Sequence, residues 1–135
     1  MAKVVLRWID NLRFVVDDEA GHSIIIDTKK EVGGTDTGFQ PLDLLLVSLG
    51  GCMGFDIVSI LKKMHADLKF FKVTVEGVRA NEHPKRCTEI NVSFETNPEV
   101  KESDLQKAFE LSRDKYCSVL WTLKVPATIN FHLKR

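Results

Sequence analysis

Apolar residues near the start of the chain form three short runs rich in Val, Ile, Phe and Trp. The runs cover residues 4–9, 12–16 and 23–27. Turn-forming residues follow the first run at Asp10 and Asn11 and the second run at residues 17–21. This pattern predicts a three-stranded antiparallel meander. A loop with three glycines follows over residues 29–40.

Residues 42–64 predict one long helix, with Pro41 at its first position, where proline is well tolerated. The first half, LDLLLVSLGGCMGF, is apolar on nearly every face. A helix of this kind is either buried on all sides or spans a membrane. Polar residues, among them Asp56 and Lys62, interrupt the run, and strand-forming segments flank it. The pattern therefore favours a buried core helix and no membrane partner.

The rest of the chain alternates between strand-like and helix-like patterns. It predicts strands over residues 70–79 and 88–95, a helix over residues 104–116 and a last strand over residues 125–133. Ser103 is a candidate N-cap for this second helix, and Gln106 completes a capping-box pattern. Cys87 most simply begins the second of these strands.

Length and element order together predict a single α+β domain over residues 1–135. Its parts are an N-terminal meander and loop (1–40), a central helix (41–64) and a ββαβ-type C-terminal part (70–135). A chain of 135 residues can bury a hydrophobic core without disulfides. Basic and acidic residues number 19 each, so the formal net charge is zero. Nucleic-acid binding is disfavoured, because such proteins carry a basic excess.

The three cysteines, Cys52, Cys87 and Cys117, are the candidate reactive groups. Three is an odd number and too few for a secreted disulfide scaffold. Near the N-terminus, Arg7 and Asp10 interrupt the apolar residues before they reach signal-peptide length. We therefore expect a cytoplasmic protein whose thiols are free or transiently paired. His83 lies four residues before Cys87, but the intervening proline predicts a loop, so no metal site is expected there.

Cys52 lies on the only polar stripe of the long helix. At about 100° per residue, five residues share one arc: Ser48, Cys52, Asp56, Ser59 and Lys63. Gly50, Gly51 and Gly54 surround the cysteine, and a glycine inside a helix costs roughly 0.5–1 kcal/mol relative to alanine. Close approach of another backbone would explain them. Taken alone, however, such a cysteine is more often a small buried apolar residue, and the glycines are consistent with plain helix packing.

Two motifs resemble the OsmC/Ohr family of thiol-dependent hydroperoxide reductases. The first is GGTDTGFQPLDLLLVSLGGCMGFDIVSILKKM, preceded by EVGG, and the second is SRDKYCSVLWTL. The family shows a glycine-bearing loop, a proline, an acidic residue and a Leu-rich helix that reaches a cysteine, and later a second cysteine motif. The resemblance spans nearly the whole chain in the same element order. It marks Cys52 and Cys117 as a functional pair.

The resemblance implies an OsmC-like fold, with antiparallel sheets around a long central buried helix in an intertwined homodimer. It also implies a redox cycle. The Cys52 thiolate attacks a hydroperoxide and becomes a sulfenic acid, and Cys117 then condenses with it to a disulfide. An external dithiol, a lipoylated protein in the Ohr branch, restores both thiols. The expected partners are a second copy, a small hydroperoxide and a thiol or lipoyl reductant, and no cofactor is implied.

The family also uses an arginine of the N-terminal strands, held by a carboxylate, to stabilise the reactive thiolate. Such help is needed because Cys52 lies deep in its helix, where the helix N-terminus cannot act, and burial raises a thiol pKa. Arg13 fits this place best. An exposed strand arginine is an equally good interpretation.

The chain departs from the peroxidase branch at two positions. Leu42 stands where a glutamate follows the proline, and the acid comes one residue later, at Asp43. Nine residues before Cys52, Asp43 lies about 180° from it on an ideal helix. Its simpler role is to complement the helix dipole. Ser118 stands where a proline often follows the second cysteine, and the chain is thus closer to the OsmC-like branch.

Three functions compete. The leading hypothesis is a thiol peroxidase that reduces hydroperoxides, organic ones in particular. A second is a non-catalytic protein that binds a hydrophobic ligand or partner and keeps vestigial cysteines. A third is sulfur or acyl handling by Cys52 without a peroxide. The pairing of Cys52 with Cys117 favours the first, and Leu42 in place of glutamate favours the others.

Overall fold

A computed structural model describes residues 1–135 and has the predicted α+β class. The chain forms two compact units, Met1–Leu45 and Leu46–Arg135. In chain order, the strands are β1 (Val4–Asp10), β2 (Arg13–Asp18), β3 (Ser23–Ile26), β4 (Phe71–Arg79) and β5 (Cys87–Thr96). The helices are α1 (Pro41–Lys63), α2 (Glu102–Leu111) and α3 (Ser118–Lys124), with a 3₁₀ turn at Lys30–Val32 and a π-helical turn at Ser112–Tyr116.

The first unit contains the predicted antiparallel meander. Strand β2 lies in the middle and pairs with β1 and β3. The turn between β1 and β2 places Asn11 in the left-handed region, with φ 43°, a conformation that asparagine tolerates better than most residues. Its side-chain amide donates to the carbonyl oxygen of Gly33 at 2.8 Å. This bond ties the turn to the glycine-bearing loop.

Asp27, only 2% exposed, organises that loop from the end of β3. Its carboxylate accepts hydrogen bonds from the backbone N–H groups of Thr28, Thr35 and Thr37 and from the Thr37 hydroxyl. Burial by itself raises a carboxyl pKa, but these donors outweigh it and lower the pKa of Asp27 to about 2. Several hydrogen bonds to the charged form are the known cause of such values.

Acid is therefore expected to weaken this loop. The folded pKa of Asp27 is about 2, below the unfolded value of about 3.9. Its contribution to stability is thus present above about pH 4 and is lost as the pH falls toward about 2. At about pH 5, Asp27→Asn should lower the urea concentration at the unfolding midpoint. The difference between the midpoints of variant and wild type should disappear as the pH falls. Glu19→Gln, in an exposed turn, is the control, and a gap that does not change with pH would contradict the prediction.

In the second unit, α1 packs on the antiparallel hairpin of β4 and β5. The buried residues of α1 recur every three or four positions, as one face of a helix requires: Leu49, Gly50, Met53, Gly54, Ile57 and Leu61. Gly50 permits the contact, because a Cβ atom there would lie 2.8 Å from Val75 and 3.4 Å from Val73. At Gly50 the neighbouring atoms are therefore side chains of β4 and not the backbone that the sequence led us to expect, whereas a Cβ atom at Gly51 would have no neighbour within 4 Å in this chain.

Only one face of α1 is buried in the single chain, and Val47 is 54% and Phe55 81% exposed. Burial on all sides, which the resemblance implies for a homodimer, stays a prediction. By length and composition alone α1 is also able to cross a membrane. The face that packs on β4, however, is that of a core helix in an α+β fold.

Three C-terminal predictions need correction. Helix α2 begins at Glu102, so Ser103 lies inside its first turn and makes no side-chain cap, and Gln106 donates to Glu110 instead. The α-helix ends at Leu111, and the rest of the predicted range, residues 112–116, forms the π-helical turn. The last strand, predicted over residues 125–133, is absent: residues 125–135 form no regular element and are exposed. No strand of the two sheets pairs with this segment, and α3, which the sequence did not predict, precedes it.

Candidate thiol site

Two of the three cysteines come together in the second unit. Cys52 projects from the middle of α1, and Cys117 immediately precedes α3. Their sulfur atoms and a carboxylate oxygen of Asp56 all lie within 4.8 Å of one another. Cys117 is fully buried, whereas Cys52 and Asp56 are half-buried. The structure thus brings the two predicted thiols together and adds one carboxylate.

The chain between α2 and α3 determines where Cys117 lies. The π-helical turn ends at Cys117, whose extended backbone, φ −74° and ψ 98°, interrupts the helical path. Cys117 then acts as the N-cap of α3, and its sulfur accepts the backbone N–H of Leu120 at 3.4 Å. Ser112, fully buried at the start of the π-helical turn, donates its hydroxyl to Asp56 Oδ2 at 2.8 Å. This bond holds the turn against α1 beside the thiols.

The environment lowers the pKa of Cys52 below its ordinary value. Burial acts in the opposite direction, but hydrogen bonds to the sulfur outweigh it. The donors are the Val119 backbone N–H, the Cys117 thiol, and the Ser118 hydroxyl and N–H. The Ser118 hydroxyl lies 3.8 Å from the Cys52 sulfur. Donors aimed at a sulfur favour its thiolate, which is the nucleophilic form.

The pKa of Cys117 moves in the opposite direction. Burial raises the Cys117 pKa first of all, and the Leu120 N–H only partly offsets this effect. Its hydrogen bond to Cys52 and the charges of Cys52 and Asp56 raise the pKa further. The pKa values of the two thiols therefore diverge, and the site favours the thiolate more at Cys52 than at Cys117.

The source of these donors was not predicted from the sequence. The N-terminus of α1 is too far along the helix to act on Cys52, and the first residues of α3, a different helix, supply backbone and hydroxyl donors. The signal was present in the sequence, because Ser118 has the N–H and hydroxyl that a proline at this position lacks. The help of a cation, expected from the sequence, stays a prediction.

The other two candidate residues lie in the first unit. Arg13 opens β2, and its guanidinium makes two hydrogen bonds of 2.7 Å to the carboxylate of Asp10. The bond to Arg13 lowers the pKa of Asp10. Asp43 is exposed in the first turn of α1, where an acid complements the helix dipole. The catalytic roles of Arg13 and Asp43 stay predictions.

Cys87 lies apart from this cluster. As the sequence suggests, it begins a strand, β5. A Cβ atom on Gly77 of β4 would lie 2.8 Å from its sulfur, so the hairpin closes tightly around the thiol. Cys87 therefore has a packing role at the end of the hairpin.

Asp56 is the site residue that the sequence did not single out as functional. Its place on the polar stripe, one turn after Cys52, was the available signal. Asp56 also lines a cavity of about 390 Å³ with Lys63 and Tyr116. Thiols and a carboxylate are ligands that zinc accepts, so a metal ion would bind here if anywhere. The sequence predicts no metal and no cofactor, and both stay predictions.

A second cavity opens on the exposed side of α1, and its lining includes Gly51, the residue before Cys52, but not Cys52 itself. It measures about 540 Å³ and is mostly apolar. Gly51 and Gly54 form its floor on the helix, and Phe55 and Phe71 form walls. A glycine on each side of the reactive position thus leaves room for an apolar group next to α1.

Comparison with known proteins places the chain among relatives of the same fold. It is 32% identical to protein YhfA of Escherichia coli over 125 residues, which cover 92% of this chain and 90% of YhfA. A solved hypothetical protein from Aquifex aeolicus is 34% identical, with a TM-score of 0.80 over 93% of this chain and 89% of its own.

An organic hydroperoxide resistance protein OsmC from Legionella pneumophila shares the fold at 12% identity, with a TM-score of 0.65 over 93% of this chain and 90% of its own. The family model described as OsmC-like protein matches residues 34–132, which include both motif cysteines. The fold is that of a small soluble α+β protein. This chain belongs to the OsmC-like protein family.

Proposed function

We propose that this protein is a thiol peroxidase that reduces hydroperoxides through Cys52 and Cys117. The observation that carries the proposal is the pair of sulfur atoms within 4.8 Å. The opposite pKa shifts of the two thiols support it. A thiolate next to a protonated thiol is the arrangement that a two-cysteine redox cycle needs.

In the first step the Cys52 thiolate attacks one oxygen of the hydroperoxide. The S–O bond forms as the O–O bond breaks, and the departing oxygen takes a proton to leave as an alcohol or water. Cys52 is now a sulfenic acid, oxidised by two electrons. The donors around Cys52 stabilise the attacking anion, and Arg13, held by Asp10, is proposed to contribute as the family resemblance implies.

In the second step the sulfur of Cys117 attacks the sulfenic sulfur, and water leaves. The product is a Cys52–Cys117 disulfide. An external dithiol, of the thiol or lipoyl type, then reduces the disulfide by exchange. The proposed cycle needs no cofactor, since the peroxide supplies the oxidising equivalents and the dithiol the reducing ones.

Organic hydroperoxides are the substrate class that the surroundings of Cys52 suit best. The cavity that begins at its neighbour Gly51 has apolar walls and a volume of about 540 Å³, enough for a small organic group. The Legionella relative, an organic hydroperoxide resistance protein, supports the same class. Stopped-flow oxidation of the reduced protein by cumene hydroperoxide and by hydrogen peroxide, followed by intact mass, tests the proposal. Faster reaction with cumene hydroperoxide and the mass of one disulfide are expected.

The alternative is a binding protein whose cysteines take no part in catalysis. The large apolar cavity and Leu42 in place of the family glutamate favour it. In that case neither peroxide would oxidise the reduced protein faster than a free thiol. An apolar ligand would still bind to a Cys52→Ser variant.

Ser118→Pro is expected to weaken the thiolate of Cys52. Proline at the first position of α3 keeps the helix but removes the N–H and the hydroxyl that lower the Cys52 pKa. A hydrogen bond to a charged group contributes about 1.5–3 kcal/mol, so the thiolate fraction at neutral pH should fall about tenfold. The pH dependence of iodoacetamide alkylation measures it. Ser118→Ala keeps the N–H, so its alkylation rate should lie between those of wild type and Ser118→Pro. Unchanged alkylation in both variants would show that these donors do not stabilise the thiolate.

We also propose that the protein is a homodimer, as the family resemblance implies. The support is apolar surface left open in one chain: Phe55 is 81%, Ile129 73% and Phe131 87% exposed. Large apolar side chains that one chain leaves exposed are expected where a second copy covers the surface. Sedimentation at micromolar concentration should give a dimer, and Phe55→Asp should shift it toward monomer. A stable, folded wild-type monomer would contradict the proposal.

A further inference from the structure

We propose that Asp56 is the proton acceptor for Cys117 when the disulfide forms, and that it passes this proton to the leaving hydroxyl. The inference rests on the proposed function and assigns a catalytic role to a residue that the family motifs do not mark. It is carried by the position of the carboxylate, which lies close to both thiols and also lines a cavity of about 390 Å³.

The carboxylate lies beside both reacting atoms. One of its oxygens is within 4.8 Å of the sulfur of Cys52 and of the sulfur of Cys117. One bridging water or a small side-chain rotation closes such a distance to hydrogen-bond length, and catalytic contacts are often long before the reacting complex forms. No movement of the backbone is required.

Ser112 holds Asp56 in this place. The Ser112 side chain is fully buried, and its hydroxyl donates to Asp56 Oδ2 at 2.8 Å. A donor of this kind fixes the orientation of the carboxylate relative to the thiols. Ser112 is thus a positioning residue, because it acts through Asp56 and touches neither sulfur in the proposed step.

Burial of Cys117 favours a proton relay. Cys117 is fully buried, so its thiol proton has no direct path to bulk water. Asp56 reaches from the thiol pair to the cavity of about 390 Å³, which Lys63 and Tyr116 also line. The titratable groups that face Asp56 are therefore the two thiols on one side and Lys63 and Tyr116 on the other.

The step balances without a further reactant. The proton of the Cys117 thiol moves to Asp56 as the Cys117 sulfur attacks the Cys52 sulfur. The S–S bond forms, the S–O bond of the sulfenic acid breaks, and the leaving hydroxide takes the proton from Asp56 to become water. The Leu120 N–H, 3.4 Å from the Cys117 sulfur, stabilises the charge that develops there.

Two-phase kinetics test the inference with the full-length protein and cumene hydroperoxide. Asp56→Asn should leave the first phase, sulfenic acid formation, near the wild-type rate. The second phase, disulfide formation, should be about 100-fold slower, the lower end of what a general base contributes. In the variant this phase should accelerate as the pH rises and Cys117 ionises without help. Ile60→Val, which alters the same cavity without touching a polar group, should match wild type in both phases.

Ser112→Ala gives a second measurement, because it keeps the carboxylate and removes only its anchor. A second phase slower than wild type but faster than Asp56→Asn supports the relay. If the second phase runs at the wild-type rate in both variants, the proton relay is wrong, and the proposed peroxidase activity is unaffected. A wild-type protein that forms no disulfide would instead overturn the proposed function. If Asp56→Asn does not fold, Ser112→Ala decides the matter alone, and an unchanged second phase in that variant counts against the relay.

Discussion

Cys52→Ser is expected to abolish peroxide consumption, whereas Cys87→Ser should leave it nearly intact. A serine hydroxyl in place of the thiol removes the nucleophile and the atom that is oxidised, and the donors around Cys52 then have no anion to stabilise. Loss of an attacking nucleophile typically removes most of the rate enhancement, so the rate should fall about a thousandfold or more. The rate of cumene hydroperoxide loss in the presence of a dithiol measures it.

Cys87 is a suitable control, because it is also a free, half-buried thiol in this chain. It differs from Cys52 in its neighbours. It packs against Gly77 at the end of the β4–β5 hairpin and is not part of the cluster of Cys52, Asp56 and Cys117. Equal losses of activity in the two variants would show that any thiol of this chain reacts and that the site has no special role.

Periodicity in the sequence predicted the elements that place Cys52. The apolar run with Pro41 at its start gave helix α1 to within one residue at each end. A helical period also put Cys52 and Asp56 on one stripe, and the structure brings their side chains together. These features depend on local chain geometry, which a sequence carries directly.

The region around Cys117 was less predictable, for a physical reason. A π-helical turn adds one residue to each turn of helix, and no residue pattern in 112–116 distinguishes it from α-helix. The break at Cys117 depends on a sulfur that caps α3, although cysteine is not a usual capping residue. Packing against α1 determines both the π-helical turn and the break at Cys117. The contact of Ser112 with Asp56 spans 56 residues and is likewise invisible to local patterns.

The last strand failed for a different reason. Residues 125–133 alternate as a strand does, but a strand also needs a neighbouring strand with which to pair, and none of the five strands pairs with this segment. The alternation within a segment carries no information about its pairing partner. Similarly, the all-round apolar surface of α1 implied complete burial, yet Phe55 is 81% exposed in one chain. Sequence patterns record which surfaces are apolar, but not which molecule covers them.

One equivalent of peroxide should convert the reduced protein to an intramolecular Cys52–Cys117 disulfide. The two sulfurs already lie within 4.8 Å, and bond formation requires mainly a shortening of that distance to about 2 Å. Cys52 is the partner that is oxidised first, because its pKa is lowered, whereas that of Cys117 is raised. Peptide mapping of the oxidised protein identifies the bridge, and a bridge to Cys87 would contradict the cycle.

Cys117→Ser separates the two oxidation states of Cys52. A sulfenic acid persists when no thiol is near enough to condense with it, so a dimedone-type probe should label Cys52 in this variant and hardly at all in wild type. Because Cys117 is buried and Cys52 half-buried, the probe can reach the oxidised sulfur without unfolding the chain. With excess peroxide the variant should proceed to sulfinic acid, whereas the wild-type disulfide is protected. Wild-type protein that goes directly to sulfinic acid would mean that Cys117 does not resolve the intermediate, and the binding-protein alternative would then be favoured.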